Sequence, residues 1–186
     1  MSPVHSYLEE LKGAIANASD CYEVWWVLKG SDTRPKYNAV LSKYPGFFLA
    51  NIHAQFVAYV VALYRLLETR KDTINFNSFL TLIEAEGSIS KEALEEIRSR
   101  VDALHPIWVK ICILRNEVYA HKSSDNKYDE SFKKADITPN QIRDLIEGLK
   151  ELLNHIALQT ESIEFVFSIN SREDTISLLE DAGNVL

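Results

Sequence analysis

Arg115, Asn116 and His121 are the residues of this chain best suited to chemistry, and they lie within seven positions of one another. An arginine presents a planar fork that grips two phosphate oxygens but cannot act as a base. A histidine titrates near neutral pH and can take or give a proton. A neighbouring amide can hold either group in place. Their setting is unusual as well. Leu94, Ile97, Val101, Leu104, Trp108 and Ile111 alternate spacings of three and four, the seam of a helix that faces other helices, and the next position on that seam is Arg115. A charge placed where a hydrophobe is due needs a partner or a wet pocket. At about 100° per residue, Arg115 and His121 fall roughly 60° to either side of Val118, so both flank the inward stripe without stacking on one line. They act together only if the helix end distorts or if two copies of the surface meet.

Other constellations offer less. Arg100 and His105 repeat the spacing, but Val101 replaces the polar residue and Pro106 follows the histidine. His53 lies on an apolar helix beside Gln55 and reads as a satisfied core histidine, while His5 and His155 stand isolated. The acids from Asp125 to Glu130 lack the glycine and spacing of a calcium loop. There is no phosphate-cradling glycine loop, no Cys-x-x-Cys pair and no Ser-His-Asp arrangement, so neither a metal nor a cofactor is expected. Trp25, Trp26 and Trp108 read as core or interface anchors.

The elements that must carry these residues are helical throughout, because apolar residues recur at three and four and no hairpin turn or period-2 run interrupts them. The pattern predicts an all-α bundle with long central helices. A first helix runs from about Pro3 to Leu28, with a bend near Asn17 to Asp20, and stops at Gly30. A short element follows at Tyr37 to Lys43, then an apolar helix from Phe47 to Thr69 and a shorter one from Ser78 to Ala85 that ends at Gly87. Ser90 caps the long helix that reaches about His121 and is kinked or split at Pro106. Lys122 to Asp136 reads as a polar loop, and Thr138-Pro139-Asn140-Gln141 as a capping-box start for a helix to about Phe167. A last helix spans about Arg172 to Asp181, with Gly183 as its stop.

At 186 residues, with 46% hydrophobic and 25% charged residues, the chain suits a single folded domain over 1–186 and excludes disordered and disulfide-scaffold classes. A formal charge of −7 argues against wholesale wrapping of nucleic acid and leaves room only for a narrow basic site. Between His105 and Lys127 the balance is locally positive, with Lys110, Arg115, Lys122 and Lys127 against Glu117 and Asp125. Cys21 and Cys112 sit among large apolar residues and read as reduced core thiols in a cytoplasmic protein. The stretch Phe47 to Leu67 is interrupted by Asn51, His53, Gln55 and Arg65, so it reads as a buried helix and not a membrane span.

The segment Arg115-Asn116-Glu117-Val118-Tyr119-Ala120-His121 resembles the Arg-x4-6-His signature of the HEPN superfamily. Leu114-Arg115-Asn116 through Ala120-His121 is most similar to its abortive-infection U branch. A looser likeness runs upstream through Leu63-Tyr64-Arg65-Leu66-Leu67 and Lys71-Asp72-Thr73, and the whole covers about residues 45 to 160. The resemblance implies a HEPN-type helical bundle acting as a metal-independent endoribonuclease, commonly a homodimer and the toxic half of a toxin–antitoxin or phage-defence pair. It implies RNA as substrate and an antitoxin protein as possible partner, with neither DNA nor membrane involved. His121 then serves as acid or base, Arg115 stabilises the phosphate, and Asn116 positions one of them, while Lys122 and Tyr119 are the expected substrate contacts. One histidine cannot readily make both proton transfers, so a two-fold pair that brings two copies of His121 together is attractive, with water as the substitute. Some relatives carry a tyrosine two residues after the histidine that is adenylylated; here that position is Ser123. The competing expectation is a catalytically silent helical module that binds nucleotide, RNA or a protein partner.

Overall fold

The computed structural model describes residues 2–120, 127–168 and 170–184, apart from the side chains at 118–120 and at 127 and 128. Its helices are α1 (Pro3–Lys29), α2 (Asn38–Lys43), α3 (Pro45–Leu67), α4 (Phe76–Glu86), α5 (Lys91–Ala120), α6 (Lys127–Ala135), α7 (Pro139–Glu161) and α8 (Ser171–Asn184), with a 3-10 turn at Arg34–Tyr37. No strand occurs among the described residues, so the all-α expectation holds.

Local chemistry explains most of these boundaries. Ser2 accepts the backbone N–H of His5 and Pro3 opens α1, which continues without interruption past Asn17 to Asp20. It ends at Gly30, whose N–H returns to the carbonyl of Trp26 at 2.7 Å. A Cβ on Gly30 would lie 2.5 Å from that carbonyl oxygen, so only glycine allows the chain to turn so closely. Asn75 caps α4 through the N–H of Ser78 at 2.8 Å, and Gly87 closes it in the left-handed conformation at φ 63°. Ser90 caps α5 through the N–H of Ala93 at 3.2 Å. Pro106 lies inside α5, which is one helix and not two. Thr138 and Gln141 form both hydrogen bonds of the capping box expected for α7.

Three expectations about the helices are corrected. The polar stretch 122–136 contains α6, whose inner face carries the buried Ala135 and the half-buried Phe132, while Asp129 and Glu130 open it and Lys133 and Lys134 close it. That order of charge complements the helix dipole, and few apolar residues are needed on so short a helix. Helix α7 stops at Glu161 and not near Phe167, because Ser162 turns left-handed. Asn154 then pins the chain beyond it, accepting the N–H of Phe165 at 2.8 Å and donating to its carbonyl at 3.1 Å. Helix α8 passes through Gly183, which lies in its last turn against Val40 and does not end it.

Four long helices make the frame, and each packs beside the next in the ring α1, α3, α5, α7. Tyr22 meets Tyr59 and Trp25 meets Phe56, so α1 and α3 run antiparallel. Trp108 donates to the carbonyl of Tyr64, and farther along α3 Leu67 is joined through Asn77 to the neighbourhood of Val101, so α3 and α5 do the same. Glu96 approaches His155 at 3.5 Å and Leu104 adjoins Gly148, which orients α5 against α7. Ser2 donates to Glu161 and Tyr22 to the carbonyl of Pro139, which closes the ring as an up-down-up-down bundle. Burial pushes the Tyr22 phenol up to about 12 against the pull of Arg143, so at neutral pH it remains a donor.

Helix α3 is long and apolar enough to cross a membrane, with a mean hydropathy of 1.6 over its central window. Here its Phe48, Ile52, Phe56, Tyr59, Val60, Leu63, Leu66 and Leu67 are buried in the bundle. Cys21 and Cys112 are free and only half-buried, which corrects their reading as core thiols. Helix α8 is tied to the frame by Glu23, which takes Arg172 at 3.0 Å and Arg143 at 3.3 Å.

Two stability outcomes follow from these anchors. Thr138→Ala removes the capping-box acceptor and should lower unfolding free energy by about 0.5–2 kcal/mol, seen as a lower urea midpoint at unchanged slope. At the bundle's other closure, burial raises the Glu161 carboxyl, but hydrogen bonds from His5 and Ser2 outweigh it and hold the group below its ordinary value of 4.5. A depressed carboxylate contributes stability above its unfolded pKa and loses it as pH falls through the folded value. Glu161→Gln should therefore show a shallower loss of urea stability than wild type below about pH 4.5, and equal slopes would refute this role.

Candidate functional site

The site is built on the second half of α5. Leu94, Ile97 and Val101 are buried as the seam requires, yet Leu104 and Trp108 are only half-buried, and among the described side chains farther on Ile111, Leu114 and Glu117 are covered. At about 100° per residue Arg115 returns to the angle of Ile97, while Leu114 and Glu117 lie about 100° and 160° round the helix from it. The covered face therefore turns along α5, because α6 packs on the side of Glu117 through its Lys134. Arg115 is not the charge in the middle of the covered face, as the spacing suggested. Leu114 fills that place, Arg115 is half-buried on the flank toward α3, and the charge on the covered stripe is Glu117 at 8% exposure.

Among the described residues, two ion pairs hold α6 and the residue after it against this part of α5. Lys134 reaches Glu117 at 2.6 Å, and Lys110 bonds both the side chain of Asp136, at 3.0 Å, and its carbonyl. Phe132 continues the attachment inward, stacking on Trp25 at 5.8 Å and meeting Phe56 at 5.9 Å. The end of α5 is thus fixed from one side by α6 and from the other by α3.

On the α3 side, the Arg115 guanidinium lies 4.7 Å above the centre of the Tyr64 ring, and its Nη1 donates to the side-chain Oδ1 of Asn116 at 3.1 Å. Tyr64 stacks on Trp108 at 6.2 Å and 20°, and the indole N–H of Trp108 donates to the Tyr64 carbonyl at 2.9 Å. His105 packs on Trp108 at 5.1 Å. Burial raises the Cys112 thiol one turn before Arg115, against the pull of that arginine, so it stays protonated near neutrality.

The expected residues are thus only partly assembled. Arg115 and the exposed Asn116 are brought together. His121, Lys122 and the side chain of Tyr119 lie outside the described residues, although Tyr119 itself belongs to the last turn of α5. The rival pair separates: Arg100 is bound to Glu96 at 2.8 Å on the surface, while His105 joins the ring stack. His53 is exposed, not a core histidine, and shares a stripe of α3 with Val57, Val60 and Tyr64. His5 is not isolated, since Glu161 lies 2.5 Å from its Nδ1, and His155 faces Glu96.

Sequence reasoning missed Tyr64 and Glu117 as parts of the site. Tyr64 stands on another helix, and only the antiparallel pairing of α3 with α5 brings it to Arg115. Glu117 was visible within the motif, but its burial depends on α6, and no local spacing singles it out. Outside the motif, Val109 and Ile113 expose 41% and 37% of their surfaces and, with Asn116, form one outward stripe at spacings of four and three. Glu117→Gln keeps the shape and removes the charge from the covered pair. It should cost about 1–3 kcal/mol in urea unfolding, and more than Lys134→Gln, whose ammonium is largely in water.

No curated protein and no solved structure matches this chain. The AbiU2 family of HEPN domains matches it over residues 1–175, from the start of the first helix into α8 and well beyond the 45–160 stretch that carries the motif. That span takes in α1, whose side chains complete the bundle holding Arg115, and the chain belongs to the AbiU2 family of HEPN domains.

Proposed function

We propose that this protein is an endoribonuclease that cleaves RNA by attack of its own 2′-hydroxyl, and that it serves in the cytoplasm as a toxin or phage-defence component. The observation that carries the reading is the Arg115 guanidinium held between the Tyr64 ring and Asn116 on the last turns of α5, six residues before His121. Transesterification needs a proton removed from the 2′-oxygen, a proton delivered to the departing 5′-oxygen, and cover for the extra negative charge on phosphorus. Arg115 supplies the charge cover with a fork that matches two phosphate oxygens. His121 carries a proton, and Asn116 holds the guanidinium. Lys122 and Tyr119 are proposed RNA contacts beside them. The second proton carrier is the His121 of a second copy, or water.

Self-association fits the outward stripe of Val109 and Ile113, which is apolar, exposed and runs directly into Asn116. Two chains meeting there along a two-fold axis bring the last turns of both α5 helices side by side, with Asn116 on the shared face. An antitoxin protein that covers these turns is the natural counterpart of such an activity.

Purified protein incubated with total RNA in the presence of a chelator tests the reading. Wild type should cut and leave 2′,3′-cyclic phosphate ends. Arg115→Ala should lose about 10²–10³-fold, and His121→Ala about 10²–10⁴-fold. Cleavage that survives both substitutions excludes this mechanism, and no cleavage by any form favours a silent binding module. If the histidine acts as base, the rate should fall below the pKa of a free imidazole, about 6.5. Val109→Glu with Ile113→Glu should convert a dimer to monomer in sedimentation.

A further inference from the structure

We infer that Tyr64 is a positioning residue for Arg115, its ring fixing the plane in which the guanidinium meets the phosphate; the inference rests on the nuclease reading above. A planar cation on a flexible stem needs two constraints to hold one orientation. The face contact with Tyr64 at 4.7 Å sets the tilt, and the Nη1 bond to Asn116 at 3.1 Å sets the rotation about the normal.

The ring itself cannot slide. Trp108 stacks behind it at 6.2 Å and 20°, and the same indole is bonded to the backbone carbonyl of Tyr64 at 2.9 Å, so ring and main chain are held by one side chain. His105 then backs Trp108 at 5.1 Å. Arg115, Tyr64, Trp108 and His105 thus form a chain of ring and cation contacts that ends at Arg115. Within it, the role of Tyr64 toward substrate is to aim the cation.

Two measurements test this together. Displacing a catalytic group by about 1 Å costs on the order of 100-fold, so Tyr64→Leu should lower kcat about 10–100-fold with KM changed little, while Tyr64→Phe, which keeps the ring, should restore the rate. Thermal midpoints of both variants show whether the folded fraction is unchanged. In parallel, the Arg115 Nε–H resonance should carry an upfield ring-current shift in wild type and in Tyr64→Phe, and lose it in Tyr64→Leu. A Tyr64→Leu enzyme that cuts at the wild-type rate while Arg115→Ala does not would overturn the positioning role and leave the nuclease reading standing. An unshifted Arg115 resonance in wild type would overturn the role whatever the cleavage assay shows. If wild type fails to cut RNA at all, both readings fall.

Discussion

A guanidinium that leaves water for the flank of a helical bundle must find replacements for the solvent it gives up, and that requirement shapes the whole second half of α5. Charge in a low-dielectric setting is tolerated only when its hydrogen bonds and field are met locally. Arg115 meets part of this with an aromatic face and an amide oxygen. The carboxylate nearest in sequence, Glu117, is paired with Lys134 on α6. One helix therefore carries the Glu117–Lys134 pair toward α6 and the Arg115 cation toward α3.

The frame makes that separation possible. Because α3 runs antiparallel to α5, a tyrosine 51 positions away comes to stand under Arg115, and because α6 folds back on α5, Glu117 acquires its lysine. The aromatic cluster of Tyr22, Trp25, Phe56 and Tyr59 sits between these contacts, and Phe132 of α6 packs onto it. Core and site are consequently not independent layers, since the same helices supply both.

Much of the fold was legible in sequence. The helix class, the capping box at Thr138, the stops at Gly30 and Gly87 and the Ser90 cap all follow from rules that act over three or four residues. What escaped were features decided at longer range. The charge-rich segment before Ala135 becomes a helix because Phe132 finds an aromatic cluster assembled from two other helices. Helix α7 ends early because Asn154 captures Phe165, a bond between residues eleven apart that leaves no periodic trace. The site was legible as a list of residue types, with Arg115 and Asn116 adjoining as expected. Its geometry was not, because α6 moves the covered face of α5 round to Leu114 and Glu117, and the spacing from Leu94 to Ile111 carries no trace of that helix.

The alternating direction of the four long helices has an electrical consequence. At the end of the bundle where α5 finishes, α1 also finishes, while α3 and α7 begin, so two negative and two positive backbone poles lie side by side and largely cancel. The peptide groups then lend that end little net potential for attracting a polyanion. On a chain with a formal charge of −7, a phosphate of the proposed substrate would be drawn by individual cationic side chains acting at short range.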